Sequence, residues 1–181
     1  IDDSKASIRN GKISCVIAKS GWLEFYSDKK PILKEYYRGF GNANEHSPSM
    51  KFHAREFKAV SGNDYSITAR FESQDGEKIF GMGQYQQPEL DLKGCVLELA
   101  QRNSQISVPF YLSNKGYGFL WNNAGIGEVM FGKNYTQWRS KLSEELDYWI
   151  TADDTPKAIM ENYTEVVGRA PEFPENALGL W

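Results

Sequence analysis

The sequence predicts an all-β sandwich followed by one helix and an extended linker. Three observations carry this. About ten short stretches alternate apolar and polar residues, and turn signals separate them at regular spacing. A single segment near the C-terminal end has helical spacing instead. Two prolines then stop that segment from continuing. At 181 residues the chain is long enough to bury one sizeable core.

The strands follow in order. Residues 12–18 are rich in β-branched side chains, and Ser20-Gly21 supplies the turn into 22–26. Residues 32–37 are a third candidate. Residues 50–57 alternate, with Met50, Phe52, Ala54 and Glu56 on one face. In 65–71 the aligned set is Tyr65, Ile67, Ala69 and Phe71, between the turns Gly62-Asn63 and Asp75-Gly76. Gly81 and Gly83 read as a tight turn at a strand end that needs positive φ. The pattern then lapses until Val96, and strands resume at 96–100, 108–112, 117–122, 128–131 and 146–151. Asn114-Lys115-Gly116 closes a hairpin between two of them.

The helix has a start and a stop. Thr155 is a suitable N-cap, and Pro156 fits the first helical position. Ile159, Met160, Tyr163, Val166 and Val167 form one apolar face, and Gly168 suits the C-cap. After Pro171 and Pro174 the chain ends in Ala177-Leu178-Gly179-Leu180-Trp181, an apolar run with no partner of its own in the sequence. Two regions are expected: residues 1–168 as the sandwich with its helix, and 169–181 as a linker that begins the first strand of a further domain. With Ile1 at the front, the chain reads as a piece of a longer protein. An unpartnered tail of this kind is expected either to fray or to pair with a second copy, making a dimer.

Composition narrows the partners. The net charge is -3, and Lys and Arg are spread without a basic run, which argues against nucleic acid. No apolar stretch reaches the roughly 18 residues of a membrane helix. Cys15 and Cys95 lie in separate strands and are expected as free thiols. Asn134 and Asn162 open Asn-Tyr-Thr sequons, which matter only in eukaryotic secretion. His46 and His53 lack companions at metal-ligand spacing, and the Gly81/Gly83 pair lacks the third glycine and helix of a dinucleotide site. No cofactor or metal is expected.

Carboxylates are the remaining chemistry. To do acid–base or nucleophilic work, two of them must face one another across a cleft. Glu89 with Asp91 lies in the irregular segment. Glu144, Glu145 and Asp147 precede a strand as a solvated edge, and Asp153 with Asp154 suits a helix N-terminus. None of these forms a persuasive catalytic pair. The aromatics Trp22, Phe52, Phe110, Tyr117, Trp121 and Trp149 fall in strand patterns and read as core.

An ordered set of motifs is more specific. It runs Gly81-Met82-Gly83-Gln84, then Pro109-Phe110 through Lys115-Gly116-Tyr117-Gly118, then Thr155-Pro156 with Ile159 and Tyr163, then Val167-Gly168-Arg169 before Pro171 and Pro174, then Ala177-Leu178-Gly179-Leu180-Trp181. In this order it resembles the N-terminal domain of family 31 glycoside hydrolases, the α-glucosidases, α-xylosidases and relatives. The likeness covers about the last hundred residues by motif and the first eighty by pattern. Asn176 departs from it, since the family has an aromatic before Ala-Leu-Gly. The amide-rich segment after Gln84 is similar to bacterial α-xylosidase-type members.

The resemblance implies a galactose-mutarotase-like β-sandwich. It also implies retaining hydrolysis by two aspartates on a (β/α)8 barrel beyond Trp181, so this chain carries no catalytic residue. The corresponding loop reaches over the barrel mouth toward the leaving-group sugar of an oligosaccharide substrate. Residues 84–103 are therefore the candidate substrate-binding segment, with Gln84, Tyr85, Gln86, Gln87, Glu89, Asp91, Gln101, Arg102 and Asn103. Amide and charged groups suit sugar hydroxyls, and aromatic rings suit their apolar faces. Two alternatives are a free-standing carbohydrate-binding module, which needs an exposed aromatic platform, and a mutarotase-like epimerase. The epimerase needs a converging His and carboxylate. His53 and Glu56 are the nearest pair, and their odd spacing on a strand sets them on opposite faces.

Overall fold

The computed structural model describes residues 5–38, 52–177 and 179. Among these, thirteen strands make three antiparallel sheets. The first sheet holds β1 (Lys5–Asn10), β2 (Ile13–Ala18), β3 (Leu23–Ser27) and β4 (Lys30–Lys34) in that order. The second and third use β5 (Arg55–Ser61), β6 (Asp64–Glu72), β7 (Ile79–Gln84), β8 (Val96–Leu99), β9 (Ile106–Ser113), β10 (Tyr117–Trp121), β11 (Gly127–Phe131), β12 (Tyr135–Ser143) and β13 (Tyr148–Ala152). Their orders are β13-β10-β9-β7 and β5-β6-β12-β11-β8. Helix α1 (Pro156–Val167) and a short 3-10 turn (Glu175–Ala177) follow. No helix among the described residues is long and apolar enough to cross a membrane.

The second and third sheets face each other as a sandwich. One inner face carries Tyr111, Tyr117, Phe119 and Trp121, and the other carries Ile67, Ala69, Phe71, Leu97, Leu99, Val129, Phe131 and Trp138, all buried in one cluster. The alternation expected in 65–71 holds from Ile67 to Phe71, whereas Tyr65 lies exposed past the covered part of the sheet. The first sheet closes on the cluster through Phe25, Ile32 and Leu33. Cys15 and Cys95 are unpaired and half-buried.

Three expectations need correction. The central strand of the third sheet, β12, has no counterpart in the sequence reading. Its inward residues are Thr136, Trp138 and Ser140, so only one large apolar side chain marks its period. The Gly81/Gly83 pair is not a turn at a strand end. Both glycines lie inside β7, where Gly81, Met82 and Gly83 take φ of 116°, 72° and 95° and the register with β9 shifts. A Cβ on Gly83 would overlap the Ile106 carbonyl oxygen, so β9 sits against bare backbone there. The apolar face of α1 is also narrower than its spacing suggests. Ile159 is buried and Tyr163 stacks on Phe110 at 3.9 Å, while Met160, Val166 and Val167 stay exposed. The helix caps follow expectation: Thr155 accepts from the Ala158 amide, and Gly168 ends the helix. Met50, Leu178, Leu180 and Trp181 lie outside the described residues.

Charged groups tie the layers. Glu77 is buried and accepts from Ser113 Oγ at 2.7 Å and Tyr117 Oη at 2.6 Å, with Lys93 Nζ 3.2 Å away. It thus joins the approach to β7, the β9–β10 hairpin and the segment before β8. Glu35 pins the first sheet. Its Oε2 accepts from the Leu23 amide at 2.9 Å, and Arg55 Nε lies 2.9 Å from Oε1. That second contact is off the hydrogen-bond direction, so Arg55 gives Oε1 charge without donating a proton to it.

Burial raises the Glu35 carboxyl above its ordinary value, against the opposing pull of the Leu23 amide and Arg55. A raised carboxyl favours the fold most when protonated. That contribution is present at low pH and is lost as pH rises through the folded value. Removing Arg55 raises the carboxyl further. Because Arg55 is partly exposed, Arg55→Met is expected to cost about 1–2 kcal/mol at neutral pH, below the figure for a fully buried pair. The gap to the parent sequence should close as pH falls toward the ordinary carboxylate range. Urea unfolding at a series of pH values measures this, and a gap constant with pH would show that Glu35 does not sense Arg55.

Candidate functional site

The predicted segment leaves the sandwich where β7 ends and returns through β8 to β9. Its first anchor is Tyr85. The ring is half-buried against the core. The Oη lies 2.8 Å from the Glu98 carbonyl oxygen and 2.8 Å from Ser107 Oγ. With one proton, it donates to the carbonyl and accepts from the serine. Burial pushes this phenol above its ordinary value.

Asp91 is the second anchor. Its Oδ1 accepts from the amides of Ile79 at 3.0 Å and Lys93 at 3.1 Å. The carboxylate thereby closes the loop onto the first residue of β7, and buried Leu92 seats beside it. At the far arm, the Gln101 side-chain amide bonds both backbone groups of Ser107, at 2.8 Å and 3.0 Å. Arg102 grips Glu98 with two nitrogens, at 2.7 Å and 3.0 Å. That pair holds the Glu98 carboxyl below its ordinary value and raises the guanidinium, but both groups are largely exposed and add little stability.

The structure gathers part of the predicted set. Tyr85, Gln87 and Glu89 line one depression of about 300 Å3 with Gly81, Gly83, Leu90 and Leu92. Its floor is the bulged stretch of β7. Leu90, 80 % exposed, is an apolar side chain on the rim that the polar pattern of the loop hid. Gln84 pairs with Ile106 as the last residue of β7, and its side chain is exposed, as is that of Gln86. Arg102 and Asn103 are not in this depression. They sit on the other arm, past β8, where Asn103 is exposed. Ser107 has no signal in the linear sequence, yet it holds both Tyr85 and Gln101.

The other carboxylates are occupied or solvated. Lys12 Nζ reaches Asp153 at 2.8 Å and Asp154 at 3.2 Å, and this contact holds the Asp153 carboxyl below its ordinary value. Glu56 pairs with Arg70 at 2.7 Å, and the same guanidinium nitrogen donates to the His53 carbonyl. Glu144 and Glu145 are exposed. Among the described residues no three His, Cys, Asp or Glu side chains gather as metal ligands. The depression can therefore offer hydrogen bonds and an aromatic edge to a hydroxylated ligand.

Comparison with known proteins gives a consistent set of likenesses. The sequence pattern of the glycosyl hydrolase 31 N-terminal galactose mutarotase-like domain matches residues 2–129. An uncharacterised family 31 glucosidase of Pseudescherichia vulneris is 48% identical over 190 residues, covering 99% of this chain and 36% of that protein. The crystal structure of a family 31 α-xylosidase from a soil metagenome, complexed with xylose, superposes with a TM-score of 0.90 at 47% identity, over 99% of this chain and 28% of that one. A xylosidase from Aspergillus niger gives 0.83 at 26% identity, over 97% of this chain and 25% of that one. The chain thus spans between a quarter and just over a third of the length of these relatives.

Tyr85 is the testable anchor of the loop. Tyr85→Phe keeps the ring and removes both Oη hydrogen bonds, at an expected cost of about 1 kcal/mol. Amide exchange over 86–91 should quicken while the core strands keep their protection. Unchanged exchange in that stretch would show that the loop is held by Asp91 alone.

Proposed function

Because the chain belongs to the glycosyl hydrolase 31 family through its N-terminal galactose mutarotase-like domain, we propose that it is the non-catalytic β-sandwich of a retaining α-glycosidase acting on α-xylosides or α-glucosides. In this reading residues 1–168 support a catalytic barrel, and 169–181 lead into it. The loop over 84–103 lends contacts to the part of the substrate site that holds the leaving-group sugar.

One observation carries the reading. The loop is tied at Tyr85, Asp91 and Gln101, yet the side chains of Gln87 and Glu89 line a depression with no hydrogen-bond or ion-pair partner among the described residues. Polar groups held on a rigid frame and left unpaired are what a hydroxyl-rich ligand needs. The absence of a suitable carboxylate pair fits a division of labour, in which the acid and nucleophile belong to the barrel. The exposed Met160, Val166, Val167 and Phe173 near the linker supply apolar area for that neighbour. The relatives named α-xylosidases favour an α-xyloside as substrate.

The test uses the longer enzyme and this chain side by side. Alone, the chain should not turn over a chromogenic α-xyloside or α-glucoside. In the longer enzyme, Gln86→Ala, Gln87→Ala and Glu89→Ala should each lower kcat/KM for an α-linked disaccharide about three- to tenfold, the worth of one hydrogen bond. Hydrolysis of an aryl glycoside should change less, because its leaving group makes no such contact. Equal losses on both substrates would mean that the loop acts through folding. Turnover by the chain alone, abolished by Glu89→Gln, would overturn the non-catalytic reading.

A further inference from the structure

A second depression is lined from the end of β8, from β9 and from the residues at and after the end of β10. It measures about 320 Å3, at the lower end of the ~300–1,000 Å3 typical of small-molecule sites. Gln101, Ser107, Trp121 and Asn123 line it together with apolar Pro109 and Ile126, and none of its lining residues is charged. The two depressions share no lining residue, and Ser107 of the second meets Tyr85 of the first through their hydroxyls at 2.8 Å.

Its two amides are fixed in orientation. Gln101 is clamped to the backbone of Ser107 by two hydrogen bonds. Asn123 is clamped to the backbone of Asp147 in the same way, donating at 2.6 Å and accepting at 3.4 Å. Each clamp uses one amide N–H and one oxygen lone pair, and leaves one of each free. The segment carrying Asn123 is held close because a Cβ on Gly125 would overlap the Leu142 carbonyl oxygen. Trp121 is only 1% exposed, and its indole Nε1 has no acceptor among the described residues. A buried indole N–H normally finds one.

We infer that this depression is a binding site for a single neutral sugar ring, separate from the loop site. Pre-oriented amides suit hydroxyl groups that both donate and accept. The Pro109 and Ile126 side chains suit the C–H face of a ring. The lack of a charged side chain disfavours a sugar phosphate or a sugar acid. The indole N–H supplies a donor that an incoming hydroxyl satisfies after a small side-chain adjustment. This site goes beyond the loop's proposed role, and it needs no residue outside this chain.

The test is a titration of the 181-residue chain with xylose and with glucose, followed by the indole N–H resonance of Trp121 and the side-chain amide resonances of Gln101 and Asn123. Glycerol and glucuronate are the controls. Saturable shifts of these three signals with one of the two sugars, and weaker shifts with both controls, are expected. Ile126→Trp fills the mouth without touching a hydrogen bond, because Ile126 is half exposed. It should weaken binding by about tenfold or more while the melting temperature stays within a few degrees. Gln101→Met, which removes the amide, should do the same to the shift even if it loosens the loop. No saturable shift with either sugar, an equal response to glycerol or glucuronate, or unchanged binding in a folded Ile126→Trp variant would overturn the inference. Any of these results leaves the loop reading intact, because the loop test reads catalysis in the longer enzyme.

Discussion

The second and third sheets close on one side chain, the indole of Trp138. It is fully buried at the middle of β12. From there it meets Phe119 at 5.2 Å, Trp121 at 5.5 Å and Tyr111 at 6.1 Å across the sandwich, and Phe131 at 6.0 Å on its own sheet. Loss of a buried indole costs about 3–5 kcal/mol, a large share of the ~5–15 kcal/mol that holds a domain together. The site depends on this contact through register. Tyr111 and Phe119 fix β9 against β10, and β9 in turn presses on the glycines of β7. The bulge that results forms the floor under Tyr85, Gln87 and Glu89. Phe119 and Tyr111 stack in the same column, so the aromatic core reaches the loop in one step.

How much of this could be read from the sequence depends on where the apolar signal was concentrated. Strands with two or more large inward residues, such as β6 and β10, were legible from period alone. β12 was not, because Thr136 and Ser140 share its inward face with a single tryptophan. β1 was not, because an exposed edge strand has no reason to alternate. The helix caps were legible because Thr155 and Gly168 act locally, but the width of the buried helix face was not, since tertiary contact decides it. In the loop, residue type pointed correctly to a polar segment. It could not separate Asp91, whose carboxylate is used on backbone amides, from Glu89, whose carboxylate is not. That distinction depends on Ile79 and Lys93 in space, and one-dimensional spacing does not carry it.

The same logic accounts for several of the carboxylates among the described residues. Glu77, Glu35, Glu56 and Asp91 are each occupied by a hydroxyl, a cation or a backbone amide. Their partners hold layers together, and those ties leave them unavailable for proton transfer to a ligand. The side chains left unpaired are amides and one glutamate on the loop, groups that bind hydroxyls and orient them. Under the proposed role, such a domain would act on a reaction by placing substrate, and a rigid frame is what that role requires.

The most direct test of that claim is a structure of the longer enzyme with an uncleaved α-linked disaccharide bound. The distance to measure runs from the side chains of Gln86, Gln87 and Glu89 to the leaving-group sugar. The proposed role predicts at least one polar contact within about 3.2 Å, with Tyr85 and Asp91 still holding the loop as they do here. A loop that faces bulk solvent, with every one of these side chains clear of the sugar, would contradict it.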